Sequence, residues 1–263
     1  MENGLFVGAQ KLCAPYFGKF VGLGYSQCDR FPPAGGKTIL GKRSRLPPCQ
    51  TTPICRSQYT MIHPHTELRH VNQLIGYGVF ATQFIPKGTI IWVLDELDQN
   101  LEESYVLSLE PLRRKQLIKY CYRDNKGRYV LCWDIARYMN HSFSPNCIST
   151  YYEFELAIRD IYPGEQLTED YGYFNLDEPF YCLPETGSNR TMVMPDDILH
   201  HYPEWDRKAT DAIRYLHKVE QPLKYLINPK VVDTVDAVAA GKRPIDSIRN
   251  YYYDRATQLK AVS

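Results

Sequence analysis

The sequence predicts a mainly β fold with a smaller helical part, and three observations predict it. Between Glu67 and Tyr173 the β-branched and aromatic residues fall in short runs broken by Pro/Gly turns. Apolar residues take up helical spacing only in an insert near residues 101–120 and again beyond Asp196. No stretch repeats, and the longest notable apolar run, Ile90 to Leu94, is far short of the ~20 residues that cross a bilayer.

Three regions are expected along the 263 residues. Residues 1–60 contain Phe31-Pro32-Pro33-Ala34-Gly35-Gly36 and Leu46-Pro47-Pro48 without sustained periodicity, which reads as a flexible arm. Eight Lys/Arg against Glu2 and Asp29 give that arm +6, so the other 203 residues sum to −5 within a net +1. A basic arm suits an acidic partner, and a solvated tail has the same composition. Composition changes at Met61, which marks an alternative start of translation. Residues 61–175 form the central domain, and residues 176–263 a C-terminal extension.

Within the central domain, Gly78-Val79-Phe80-Ala81-Thr82 and Thr89-Ile90-Ile91-Trp92-Val93-Leu94 flank the turn Pro86-Lys87-Gly88 and predict a hairpin. Leu101, Tyr105, Leu109, Leu112, Leu117 and Tyr120 then recur at roughly helical spacing, interrupted by Pro111, which predicts one or two short helices. Strands resume at Arg128 to Trp133 after Asp124-Asn125-Lys126-Gly127, and Phe154 to Ile158 alternates before ending at Pro163-Gly164. In the extension, Trp205, Ala209, Ala212, Ile213 and Leu216 fit one helical face, and Pro244-Ile245-Asp246 opens a final helix expected to run through Tyr251 and Leu259.

The near-neutral total gives no global attraction to nucleic acid or membrane, so neither is an expected partner. No basic segment followed by an apolar run opens the chain, and a cytoplasmic protein is expected. Eight cysteines at irregular spacing without a CxxC pair read as reduced thiols, with Cys121, Cys132 and Cys147 as small core residues. His63, His65 and His70 lack flanks with ligand geometry, so no metal is assigned to them.

Three segments carry more chemistry than packing needs. In Ile75-Gly76-Tyr77-Gly78-Val79-Phe80-Ala81, two glycines around an aromatic allow a ligand, or another backbone in a hairpin bulge, to approach closely. Asn140-His141-Ser142, followed by Pro145-Asn146, supplies amide donors, an amide acceptor and an imidazole suited to a polar small molecule with an amino-acid end. In Gly164-Glu165-Gln166-Leu167-Thr168-Glu169-Asp170-Tyr171-Gly172, a Tyr after an acidic pair is placed either to present its hydroxyl in a pocket or to sit in the core.

In this order the segments resemble the SET domain of protein lysine methyltransferases over about residues 67–175. Gly76 to Ala81 resembles its GxGVxA strand, Asn140 to Asn146 its NHSxxPN motif, and Gly164 to Gly172 its GEELTxDYG motif. The short chain is similar to the compact SET proteins of bacteria. The resemblance implies a β-clip-like fold of small curved sheets with a C-terminal pseudoknot, an exception to unthreaded topology, joined here to a helical extension. It implies S-adenosyl-L-methionine as cofactor, held along Gly76, Tyr77 and Gly78 and by Asn140 and His141, with Tyr171 as the active-site tyrosine. It implies a protein or peptide partner presenting a lysine; oligomeric state is not implied.

The sequence departs from the family at the zinc site that many members build after the domain. Phe143 stands where they carry Cys, and of the downstream CxCxxxxC segment only Cys182 remains, with Pro184 and Asn189 in the other two places. One thiolate cannot make a four-coordinate site, so a zinc-free segment is expected. Phe174, Phe180, Tyr181 and the helical tail around Trp205 are the expected cover for the cofactor. Tyr105, Tyr129, Tyr173 and Phe174 are candidates to limit how many methyl groups fit, with core packing as the plainer role of each.

The implied reaction needs a neutral amine, yet a lysine of pKa ~10.4 is neutral in only about one molecule in 2,500 at pH 7. A narrow, partly apolar channel beside a sulfonium would lower that pKa, and Tyr171 would position rather than deprotonate the amine. Two other readings fit the motifs: a catalytically silent SET-like module that binds a basic peptide, and a methyltransferase for a small amine. A secreted effector acting in a host nucleus is the alternative to a cytoplasmic location.

Overall fold

A computed structural model describes residues 62–255. The expected arm over residues 1–60, the alternative start at Met61 and the helix end at Leu259 lie outside the described residues. The strands up to the insert are β1 (Thr66–Asn72), β2 (Gly76–Ala81), β3 (Ile90–Val93) and β4 (Gln99–Leu101). The insert carries α1 (Glu103–Ser108) and α2 (Pro111–Ile118), followed by β5 (Cys121–Arg123) and β6 (Tyr129–Leu131). Next come β7 (Asn140–His141), β8 (Cys147–Ser149), β9 (Phe154–Ala157) and β10 (Thr168–Glu169). The extension adds β11 (Phe180–Tyr181), β12 (Met192–Val193), α3 (Asp197–Ile213) and α4 (Pro229–Ala239).

Both runs of the expected hairpin are strands, but they do not pair with each other. β2 pairs with β1, where Asn72 Oδ1 accepts from the backbone N–H groups of Leu74 and Ile75 and Gly76 enters at φ 85°, a conformation open to glycine. β3 pairs with β9, which pairs in turn with β8, giving the order β3-β9-β8. The connection over residues 82–89 is too long for a tight hairpin and is spoken for elsewhere: Ile85 and Ile161 exchange backbone hydrogen bonds, and Gly88 N–H donates to Ala157 O. Strand character lies in local residue choice, whereas the partner is set by the turn.

The insert holds the two expected helices, divided where Pro111 occupies the first turn of α2. Its apolar spacing does not build a buried face: Val106 is buried, while Tyr105, Leu107 and Leu112 are more than half exposed. Behind the insert β6 lies between β4 and β5. Asp124 Oδ1 accepts from Lys126 and Arg128 N–H to make the β5–β6 turn, and Gly127 closes it at φ 80°. Buried Arg123 bonds Glu103, Asp177, Tyr129 Oη and Gly127 O, tying the insert to the start of the extension.

Alternation along β9, and a β-bulge between Ile90 and Trp92 in β3, build a core on each face of the β3-β9-β8 sheet. Ile90, Val93, Phe154 and Leu156 join α3, α4 and Tyr251 in one cluster. Ile91, Trp92 and Ala157 join β2 residue Val79, Ile161 and Leu167 in the other. The helical face expected in the tail is thus real, since Trp205, Ala209, Ala212 and Ile213 of α3 are buried in the first cluster. The sequence reading did not identify α4, though Asn228 caps it through Lys230 N–H and Pro229 opens it. The expected helix from Pro244 is instead a short 3₁₀ turn, Ile248–Tyr251, capped by Ser247.

Candidate active site

The two polar motifs meet because β7 and β10 run parallel, with Asn140 beside Thr168 and His141 beside Glu169. Buried Asn146 fixes this register: its Nδ2 donates to Gln166 O at 2.8 Å and its Oδ1 accepts from Thr168 N–H at 2.8 Å. The same parallel step delivers Tyr171, on a 3₁₀ turn capped by Asp170, next to the imidazole. Tyr171 N–H donates to His141 Nδ1 at 3.2 Å, and Tyr171 Oη donates to Met139 O at 2.7 Å.

Two cavities meet at this tyrosine. The larger, about 420 Å³, is lined by Leu74, Ile75, Asn140, His141, Ser142, Thr168, Tyr171 and residues 180–185. The smaller, about 80 Å³, is lined by Tyr120, Tyr122, Met139, Tyr171, Phe174, Phe180, Trp92, Glu155 and Glu169 among others. Lys119, Tyr171 and Phe180 line both.

Asn140, His141 and Tyr171 are therefore together, and the glycine segment supports them from the side. Asn140 Nδ2 donates to Tyr77 O at 3.0 Å. A Cβ at Gly78 would come within 2.9 Å of Asn140 Nδ2 and 2.8 Å of Gln166 Nε2, so a bare backbone is needed there. Gly76 begins β2 and the Tyr77 ring packs against His70 and Tyr138; the cavity wall itself is the preceding Leu74 and Ile75.

Burial holds His141 neutral, lowering its pKa to about 4, with Asp170 opposing that shift. Because Nδ1 accepts from Tyr171, the proton belongs on Nε2, a buried atom with no hydrogen-bond partner in a residue that lines the larger cavity. An orphaned donor and a carboxamide on the edge of a 420 Å³ cavity otherwise walled largely by apolar side chains fit a polar nucleoside with an amino-acid end.

The cover differs from the one expected. Phe180 and Tyr181 line the larger cavity and Phe174 the smaller, but no residue of α3 or α4 lines either. Trp205 instead packs edge-on against Tyr173 at 5.3 Å, behind the site, because α3 is committed to the first core. The segment after the domain is fastened by polar contacts that the sequence reading missed. Glu185 accepts from Ser142 Oγ and from Phe143 N–H. Arg190 lies 4.3 Å from the Phe143 ring centroid and pairs with both Asp170 and Asp197. Cys182 is a free, half-buried thiol. Of the four aromatics proposed as size limits, Phe174 lines the smaller cavity; Tyr105 is 53% exposed, Tyr129 Oη is bonded to Asp177, and Tyr173 is buried behind it. Tyr120 and Tyr122 take the lining positions instead.

Comparison with known proteins falls on the same region. The family model of the SET domain matches residues 76–172. The chain is similar to "Histone-lysine N-methyltransferase trr" of Drosophila melanogaster, 29% identical over 128 residues, or 43% of this chain and 5% of that protein. It is also similar to "Variant-silencing SET domain-containing protein" of Plasmodium falciparum (isolate 3D7), 32% identical over 122 residues, or 41% of this chain and 5% of that protein. The chain thus matches only 5% of the length of these curated relatives. A solved Plasmodium falciparum structure aligns with 42% of this chain and 95% of its own at 20% identity and a TM-score of 0.31. Among the described residues no helix is long and apolar enough to cross a membrane.

Proposed function

We propose, from the premise that this chain carries a SET domain over residues 76–172, that it transfers a methyl group from S-adenosyl-L-methionine to the side-chain amine of a protein lysine. The observation that carries the proposal is the meeting of two unlike cavities at Tyr171, one polar-edged and roomy, the other narrow and aromatic. The larger suits the cofactor and the smaller the end of an extended amine side chain. When bound, S-adenosyl-L-methionine supplies an electrophilic methyl group on a sulfonium. Asn140 and His141 would hold the polar ends of the cofactor, and Leu74 and Ile75 would flank it, with the Gly76-Tyr77-Gly78 strand supporting Asn140. Residues 180–185 would cover it and exclude water. The parallel β7–β10 pairing supports the threaded C-terminal segment that the resemblance implies.

The chain's own part in the chemistry is orientation. Tyr171 Oη is held on Met139 O, so its lone pairs face away from that bond and can fix an amine proton. Tyr122, Phe174 and Phe180 form the apolar sides of the narrow cavity and would seat the methylene stem of the amine side chain, fixing its direction of approach. The domain boundaries at residues 61, 175 and 176 belong to the same proposal.

The test is incubation of the full chain with methyl-labelled S-adenosyl-L-methionine and a whole-cell lysate, followed by mapping of the label. Label on lysine side-chain nitrogen is expected. Label only on low-molecular-weight amines would assign the small-amine reading, and no label with retained peptide binding the silent one.

A further inference from the structure

The floor of the narrow cavity is acidic and underemployed. On β9, Phe154 and Leu156 face the tail core, so alternation turns Glu155 to the opposite face, where it lines the cavity. On β10, Glu169 lies beside His141 and lines the same cavity. Both residues are buried, at 5% and 4% exposure, and Oε2 of each has no hydrogen-bond partner. One further orphan borders them: Trp92 Nε1, in a residue that lines the cavity and is 5% exposed. Two buried carboxyls that share a hydrogen bond hold one proton between them and leave one negative charge at the cavity floor, which is costly unless something compensates it.

The surroundings decide what compensates it. Glu155 and Glu169 hydrogen-bond each other, Ser149 hydrogen-bonds Glu155 and Tyr173 hydrogen-bonds Glu169, with Asp134 and Asp170 as the nearby like charges. Lys119 and Arg137 line the cavity, yet among the described residues neither carboxyl has a salt-bridge partner. A negative charge that neither lining cation reaches at salt-bridge distance suits a cationic donor entering the cavity. A cavity of about 80 Å³ admits only the end of a side chain, such as an ammoniomethyl group.

Resting on the lysine methyl-transfer reading above, we propose that Glu155 and Glu169 together bind the substrate ammonium and accept the proton it must lose. The N–H bond breaks, its electron pair stays on nitrogen, and an O–H bond forms on one carboxylate oxygen of the pair. A cationic amine and a singly charged pair become a neutral amine and an uncharged pair, and the proton returns to solvent after product leaves. Burial raises both carboxyls, Glu155 to about 7, so the pair is poised to exchange one proton near neutrality.

The test compares the full-length wild type with E155Q/E169Q, whose side chains keep their size. Two readouts are used: methyl transfer to the proteins of a whole-cell lysate from pH 6 to 9, and thermal melting in ethylammonium chloride against sodium chloride of equal strength. In the wild type the rate is expected to rise through about pH 7, and ethylammonium to raise the melting temperature only above that pH. The double variant should lose the ethylammonium effect and about 100-fold in rate at pH 7, recovering as the pH approaches that of free amine. Its unchanged S-adenosyl-L-methionine affinity and its melting at pH 5 would show that it folds. A variant that keeps the wild-type rate within about twofold, with the same pH limb, overturns the proposal and leaves methyl transfer standing. Equal ethylammonium protection of both proteins overturns it as well. A wild type that labels no amine overturns the parent reading, and this role with it.

Discussion

At the residue scale, the site depends on backbone geometry as much as on side-chain chemistry. Asn140 reaches Tyr77 O because Gly78 has no Cβ, and His141 keeps Nε2–H free because Tyr171 N–H occupies Nδ1. Asn140→Ala is expected to weaken S-adenosyl-L-methionine binding by about tenfold or more, the loss of one or two hydrogen bonds, while melting shifts little. Isothermal titration checks it, and unchanged affinity would remove Asn140 from the cofactor site. Glu155 and Glu169 give a pH signature that needs no substrate. Burial holds both native pKa values above the ordinary 4.5, so the stability linked to them is complete below about pH 4.5 and is lost as the pH rises through each, about 7 for Glu155. E155Q/E169Q should therefore gain several degrees over the wild type at pH 8 and much less at pH 5. Parallel melting curves across that range would contradict buried, proton-binding carboxyls. The motif residues were legible in sequence because short, unusual runs carry them. The acidic floor was not, because a Glu in an alternating strand looks like any solvent-facing position until the strand's second face is found to be buried.

At the scale of elements, the segment over residues 176–194 and helix α3 divide the work that the sequence reading gave to one lid. β11 and β12 form a small hairpin held over the larger cavity by Glu185 and Arg190. Glu185→Ala removes both bonds to the Ser142-Phe143 turn at a position outside the cores. It should lower cofactor affinity about tenfold and speed proteolytic cleavage within residues 176–190, with little change in overall melting. Cleavage at the wild-type rate would mean that the clasp does not hold. Trp205→Ala acts at another level. Its ring fills the first core against Tyr173 and sits 2.8 Å from where a Cβ on Gly172 would lie. A loss of about 3–5 kcal/mol in denaturant unfolding is expected, with any activity change following from it. For the same reason a chain cut after Asn175 should unfold rather than merely lose its cover. Helices were legible where apolar spacing was regular, as in α3. Strand partners were not, since nothing local in Ile90 to Val93 distinguishes β9 from β2 as a neighbour. α4 went unread although Asn228-Pro229 is a start signal, because its valines also suit a strand.

At the scale of the whole molecule, the β3-β9-β8 sheet separates two jobs. One face and the helical extension form a core that lies behind the tyrosine turn, and the other face shapes the narrow cavity. The larger cavity shares Tyr171 with the narrow one and is lined by the β7–β10 pair and residues 180–185. The domain class and the position of this junction were visible in the order of three motifs. Its floor and its fastening were not, because each is assembled from residues far apart in sequence and ordinary in isolation. The most direct measurement is a single-turnover assay of wild type and Tyr171→Phe with saturating labelled S-adenosyl-L-methionine and the proteins of a whole-cell lysate, read by mass mapping of the modified side chains. The account expects lysine-bound label in the wild type and at least a 100-fold slower transfer in Tyr171→Phe, with cofactor affinity changed less than about threefold. Equal rates in the two proteins, or label on side chains other than lysine, would contradict it.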